Sequence, residues 1–450
     1  MIQPRNVTLL TGCPGGGKSH EMRGDMIERP GLSVFALPTI DLLREQETKL
    51  RHAAPDLPLF SAHSNRAGRK QVQLQVDKHL ATISERGITH CVLLVTHDFL
   101  EGGDLTGLTG WRFYIDEPPT AVRAGKLTIT RSSLKLWKSE FVLSPVGTWG
   151  QLRRAADGKP LRLGLERGDT MLKDLAPLRR AAAGRSGVLF STDRWKTGVH
   201  HWMTIWTPLD LPSTDITMAG AGYLRSLGFK VASKLHGGQL VFEEREVVRP
   251  RTGQPTVTIR YFADWECSSP HWATWPGLGD LKAIADHVRK EAPDLGYWSG
   301  NGIAKTAMSH RISGTEPSKA RLAGHDGMMA HESCAFIYSS KASAHLKPIM
   351  SLLDVTKEEV RISAEDEDIF QFAFRGAIRR PEFDGRYDVY LFSKQQAERL
   401  KAMLEGSGLH DVSLTHEGDV GVAKKPPKKG RRARAVSADE DEDEDKEEGT

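Results

Sequence analysis

Apolar positions along the chain come in short runs, separated by stretches in which they recur at helical spacing. Residues 7–11 and 32–37 read as buried strands, the second closed by Pro38. Residues 40–50 carry the helical period, with Thr39 or Asp41 near the start to cap it. A short strand at 57–62 and a long helix at 69–83 follow. Residues 91–97 are almost continuously apolar, as strands of a parallel sheet covered on both faces should be. The run at 111–117 ends on Asp116 and Glu117, and Pro118-Pro119 stops it. Strands alternating with helices predict a doubly wound parallel sheet whose ligands bind at the carboxyl ends of its strands.

From 121 to 185 the alternation blurs and Lys and Arg outnumber the acids. This stretch predicts a helical insertion or lid, its basic face turned to nucleic acid or to solvent. Residues 188–191, 201–206 and 215–219 read as further strands of the first sheet, and the chain is expected to leave that domain between 228 and 250. A second α/β pattern then begins. It comprises strands at 256–262, 295–298, 335–338 and 387–392, and helices at 280–289, 369–380 and 395–404, the middle helix closed by Pro381. The predicted division is therefore 1–235, 236–415 and a tail at 416–450. Trp265, Trp272 and Trp275 cluster at the start of the second pattern, as a platform for bases or as core.

At 450 residues the chain exceeds one ordinary core. Its formal charge of +4 hides a basic run at 424–434 and an acidic one at 439–448. A tail of that composition buries too little to fold, so disorder is expected. It serves as a solubilising extension, or as a basic arm for nucleic acid whose acidic end competes for it or recruits a basic protein partner. No apolar run approaches a membrane span, and no membrane partner is expected. The first strand is expected almost at residue 1, so no signal peptide is expected. Cys13, Cys91, Cys267 and Cys334 form no C-x-x-C pair, so a reducing, cytoplasmic setting is expected. His325 and His331 lack the partners of a zinc site.

The candidate chemistry begins after the first strand. Residues 12–19, Gly-Cys-Pro-Gly-Gly-Gly-Lys-Ser, match G-x-x-x-x-G-K-[ST] between a strand and a helix. Gly12, Gly15, Gly16 and Gly17 let consecutive backbone N–H groups curl around phosphate oxygens, and the helix adds the positive end of its dipole. Lys18 should reach the β- and γ-phosphates of ATP, Ser19 should help to hold Mg²⁺, and His20 follows them into the helix as a further nucleotide contact. Asp116 at a strand end is a second Mg²⁺ candidate, and Glu117 is placed to orient and deprotonate an attacking water. Gln371, Arg375 and Arg379 stand at i, i+4 and i+8, which predicts one helical face carrying a clamp for the γ-phosphate from the second domain.

Taken in order, these motifs resemble those of the superfamily 2 (DEAD/DEAH-like) helicases and translocases. Residues 12–19 resemble motif I, 35–39 motif Ia, 95–98 motif Ib, Asp116-Glu117 motif II and 217–221 motif III. Residues 262–264 stand at motif IV, 324–327 resemble motif V, and 371–379 motif VI. The sequence departs from the family at Pro118-Pro119, in lacking Ser/Thr-Ala-Thr at motif III, and in a Q-x-x-x-R-x-x-x-R form of motif VI with Phe374 in place of glycine. The compact form looks most like phage or plasmid replication helicases, which would place it in a bacterial host cytoplasm. The resemblance implies two RecA-like domains in tandem that close on ATP and Mg²⁺ and grip a nucleic-acid strand, single-stranded DNA being favoured. A viral DNA-packaging ATPase and a non-unwinding, ATP-gated loading protein remain open at this point.

Overall fold

The computed structural model describes residues 4–64, 69–119, 122–146, 149–155, 178, 181–182, 187–191, 197–267, 269–312, 326–339, 350, 354–418 and 420–422. Most of the predicted tail, and the first two residues of the stretch at 324–327, lie outside them.

The first unit opens with β1 (Arg5–Thr11), β2 (Leu32–Leu37), β3 (Leu59–Ala62), β4 (Cys91–Thr96) and β5 (Arg112–Asp116). Helices Lys18–Glu28, Ile40–Ala53 and Arg69–Glu85 connect the first four. The chain then builds β6 (Val122–Ile129), β7 (Phe141–Val146), β8 (Trp149–Arg154), β9 (Val188–Phe190) and β10 (Gly198–Ile205), and returns as β11 (Ile216–Ala219) and β12 (Leu240–Glu246). Among the described residues the main sheet runs β12-β1-β11-β5-β2-β4-β3, with every pairing parallel. The near-continuous apolar runs have a simple cause. In β4, Leu93 and Val95 enter one core while Val92 and Leu94 enter the core on the other face.

The second unit contains β13 (Thr256–Ala263), β14 (Tyr297–Gly300), β15 (Ser333–Ile337), β16 (Arg386–Ser393) and β17 (Val412–His416). They pair in parallel in the order β14-β15-β16-β13-β17. Helix Trp275–Glu291 packs on one face, while helices Lys357–Ala373 and Lys394–Glu405 pack on the other. The molecule is thus α/β with two parallel sheets in tandem.

Three expectations need correction. Among the described residues the insertion is built on a sheet and not on helices: β6-β10-β9-β8-β7 form an antiparallel sheet, with the ten-residue helix Arg131–Glu140 against it, while most of 156–186 lies outside the described residues. Its strands alternate side to side, and Gly125 and Gly150 interrupt the apolar pattern where Trp202 and Leu143 cross them. For the same reason 188–191 and 201–206 contribute to this sheet and not to the main one. Finally, Leu240–Glu246, beyond the expected boundary at 235, pairs along β1 at the sheet's edge. Its exposed, acid-rich face hid it from an apolar reading.

The Trp cluster divides. Trp272 is fully buried and Trp265 packs edge-on to Phe392, whereas Trp275 is 86% exposed at the first turn of its helix. No described helix is long and apolar enough to cross a membrane.

Candidate nucleotide site between the two units

The carboxyl ends of β1, β5 and β11 meet at one cleft, because β11 lies between the other two strands. After β1 the chain turns through Gly12, Gly15 and Gly17 at φ 115°, 77° and 100°, values that favour glycine. Space is equally tight. A Cβ on Gly12 would lie 2.4 Å from the Val247 carbonyl oxygen, and one on Gly15 would lie 2.7 Å from Cγ of Arg379. The cradle therefore has the backbone freedom and close approach that phosphate binding requires. Gly17 caps the helix Lys18–Glu28, whose first N–H groups face the loop.

Lys18 folds back, its Nζ donating to the carbonyls of Gly12 (2.9 Å) and Cys13 (2.8 Å). Burial holds its pKa below the usual lysine value, against the pull of Cys13 and Asp116. Ser19 Oγ donates to Asp116 Oδ2 at 2.7 Å, which joins the loop to the end of β5. Burial pushes the Asp116 carboxyl up, while the Ser19 hydroxyl and Lys18 oppose the shift. His97 Nε2 lies 3.1 Å from the Asp116 carbonyl oxygen, and burial lowers this imidazole to about 4, so it is neutral near pH 7. His20 is exposed, 3.5 Å from Arg23, and lines the mouth of the cleft.

Glu117 has φ 57°, which is rare for a residue with a side chain, and its N–H donates to the Ala219 carbonyl of β11 at 3.0 Å. Burial pushes its carboxyl up to about 7, reinforced by Asp116 and Glu367. The tightly turned backbone holds the acid at the strand end, beside the cleft.

The second unit supplies the opposite wall, in a conformation the sequence did not predict. Gln371, Arg375 and Arg379 do not share a helical face. The helix ends at Ala373, Arg375 follows in the turn, and Arg379 lies in a separate 3₁₀ turn, Ala377–Arg379. Two tyrosines explain the ending. Tyr297 donates to the Phe372 carbonyl (2.8 Å) and Tyr387 to the Ala373 carbonyl (2.9 Å), satisfying groups that a continuing helix would have used. Gly376 then passes so close that a Cβ would lie 2.2 Å from the Tyr387 hydroxyl. All three side chains nevertheless line the same cleft as Lys18, Asp116 and Glu117. Arg375 is buried, with its guanidinium carbon 5.1 Å from the Phe372 ring centroid. Burial lowers its pKa, and Tyr297 and Glu117 counter that effect; a guanidinium stays charged throughout.

The sequence reading missed Arg225 and Glu367, which also line the cleft. The available signal was the i, i+4 spacing of Glu367 and Gln371, whose side chains hydrogen bond at 2.9 Å. No cluster of three or more His, Cys, Asp or Glu suited to a metal occurs among the described residues. Ser19 and Asp116 remain as two hard oxygen donors beside the phosphate loop. That set fits Mg²⁺, which takes one or two protein oxygens and completes its shell with water and phosphate.

No family model matches the chain, and no curated protein matches it either. Solved structures do resemble it. An apo XPD structure aligns with a TM-score of 0.51 at 10% identity, covering 92% of this chain and 97% of that one. Xpd4 of S. tokodaii aligns at 0.47 and 11% identity over 91% and 96% of the two chains. Dbp5 of S. cerevisiae, bound to RNA and ADP BeF3, aligns at 0.41 and 10% over 92% and 86%. The two scores below 0.5 add no weight. The likeness to XPD is one of fold, two parallel α/β units in tandem across nearly the whole of both chains.

Proposed function

We propose that this chain is an ATP-dependent nucleic-acid helicase or translocase that hydrolyses ATP in the cleft between its two units. One observation carries the reading: Arg375 and Arg379 of the second unit line the same cleft as the phosphate loop, Asp116 and Glu117 of the first. Such an arrangement makes hydrolysis depend on the relative position of the units, which is what a nucleic-acid motor requires. The fold shared with XPD is consistent with it.

In this reading the loop glycines and the helix N-terminus bind the phosphates, and Lys18 leaves the Gly12 and Cys13 carbonyls to reach the β- and γ-oxygens. Ser19 and Asp116 would hold Mg²⁺, which when bound offsets negative charge on the phosphate oxygens. Glu117 accepts a proton from the attacking water. Arg375 and Arg379 oppose the charge that develops as the bond to the γ-phosphorus breaks. Single-stranded DNA is the favoured partner, and a replication role in a phage or plasmid setting is the biological context proposed. The test is ATPase activity titrated with single- and double-stranded DNA and RNA. Stimulation by one of them is expected. Hydrolysis that ignores every nucleic acid would replace the motor with an ATP-gated loading protein.

A further inference from the structure

Glu367 sits one turn before Gln371 on the helix Lys357–Ala373, outside the residues that bind phosphate or act on it in the proposed chemistry. One carboxylate oxygen, Oε1, accepts from the Gln371 amide at 2.9 Å. The other points across the seam at the turn that follows β11. A Cβ on Gly222 would lie 2.3 Å from Oε2, so a side chain there would push this carboxylate aside. The backbone gives Gly222 no such requirement, since its φ of −121° suits any residue. The glycine makes space. Arg225, in the next turn of the first unit, has its Nη2 4.0 Å from the same Cβ position and supplies the nearby positive charge.

The helix segment that carries Glu367 is firmly held in its own unit. Glu365 is fully buried between Arg361 (2.8 Å) and Arg399 (2.7 Å), and Arg399 also binds Asp366 at 2.7 Å. The backbone beneath Glu367 is therefore fixed in the second unit, and its carboxylate reaches the 220–222 turn from there. On the first-unit side the turn follows directly on Ala219, which accepts the Glu117 N–H at 3.0 Å, and Gly220 N–H ties it to β1 by donating to the Leu10 carbonyl at 3.0 Å. Ala221 packs against the core of the second unit. A continuous set of contacts thus runs from Glu117 through Ala219 and Gly222 to Glu367 and Gln371.

We propose that Glu367 is a positioning residue for ATP hydrolysis: it joins the Gly222 turn of the first unit to Gln371 of the second, and so sets the second-unit wall against Glu117. The proposal rests on the ATPase reading above.

The test uses the full-length chain with saturating single-stranded DNA, measuring kcat by phosphate release and ATP affinity by fluorescence titration. Glu367→Ala should lower kcat by roughly 10²-fold, the cost of a misplacement of about 1 Å. ATP affinity should stay close to parental, because the phosphate loop is untouched. Glu367→Gln should recover most of kcat, since its amide oxygen still accepts from Gln371. Gly222→Ala, made on the other unit, should reproduce the loss by crowding the carboxylate. Thermal unfolding separates these effects from misfolding. Parental kcat in both alanine variants overturns the proposal while leaving the ATPase reading intact. So does a loss in which affinity and stability fall together and glutamine rescues nothing. If the parental chain itself does not hydrolyse ATP, the functional reading fails first and takes this one with it.

Discussion

At the scale of single residues, the two acids at the end of β5 have opposite demands placed on them. In the proposed mechanism Asp116, tied to Ser19, must stay ionised to hold a cation, whereas Glu117 must exchange a proton. Its carboxyl, pushed up to about 7 by burial and by neighbouring Asp116 and Glu367, is protonated below that pH and able to accept a proton only above it. Turnover should therefore rise as pH increases through about 7, and a kcat–pH profile reads this directly. Glu117→Gln should bind ATP tightly, lose about 10²–10⁴ in turnover and lose that pH limb. Failure to bind ATP would show that Glu117 has another role. Lys18→Ala should abolish hydrolysis with little change in thermal unfolding, because its Nζ hydrogen bonds to two carbonyls of the loop, Gly12 and Cys13. Arg375→Ala and Arg379→Ala should keep nucleotide affinity, and at least one should lose about 10³–10⁵ in single-turnover rate. Lysine should substitute poorly at either position, since a point charge does not copy the planar fork. Parental rates in both would leave the second unit without a part in the chemistry.

At the scale of elements, the end of one helix decides the geometry of the site. If Lys357–Ala373 continued to Arg380, Arg375 and Arg379 would project from one face, as the spacing predicts. Tyr297, Tyr387 and Gly376 end it, and the arginines reach the cleft from a turn and a 3₁₀ segment. Gly376→Ala should therefore cost about 1–3 kcal/mol of stability through overpacking against the Tyr387 hydroxyl. Urea unfolding measures this, and an unchanged midpoint would mean that the turn can open without loss.

At the scale of the molecule, the two units share more than the cleft. The insertion sheet contributes Val122, Trp149, Leu189, Met203 and Ile205 to a cluster completed by Val231 of the first unit and Val355 and Val360 of the second. The insertion thus forms part of the seam on which any closure must turn. Outside the described residues lie 423–450, for which sequence alone supports a prediction. Deleting 424–450 should leave unfolding unchanged, and should reduce the salt dependence of nucleic-acid binding if the basic run touches phosphates. An unchanged salt slope would leave it a solubilising extension.

Sequence by itself determined the strands of the two parallel sheets that are buried on both faces, because burial on both sides writes an apolar run that no other element explains. It also determined the phosphate loop, where glycines and a Lys-Ser pair must be consecutive to surround one group. One helix start was legible too, since Thr39 caps by a local hydrogen bond, whereas Lys357–Ala373 and Trp275–Glu291 begin well before the expected 369 and 280, at the Thr356 and Thr274 caps that the apolar spacing did not reveal. Tertiary structure alone decided the rest. β12 and β17 are edge strands whose exposed faces carry little pattern, so pairing to β1 and β13 defines them. The insertion strands acquire their sheet from partners far along the chain. Gly222 and Glu367 are 145 residues apart, and no local period connects a glycine kept for space with the carboxylate that fills it.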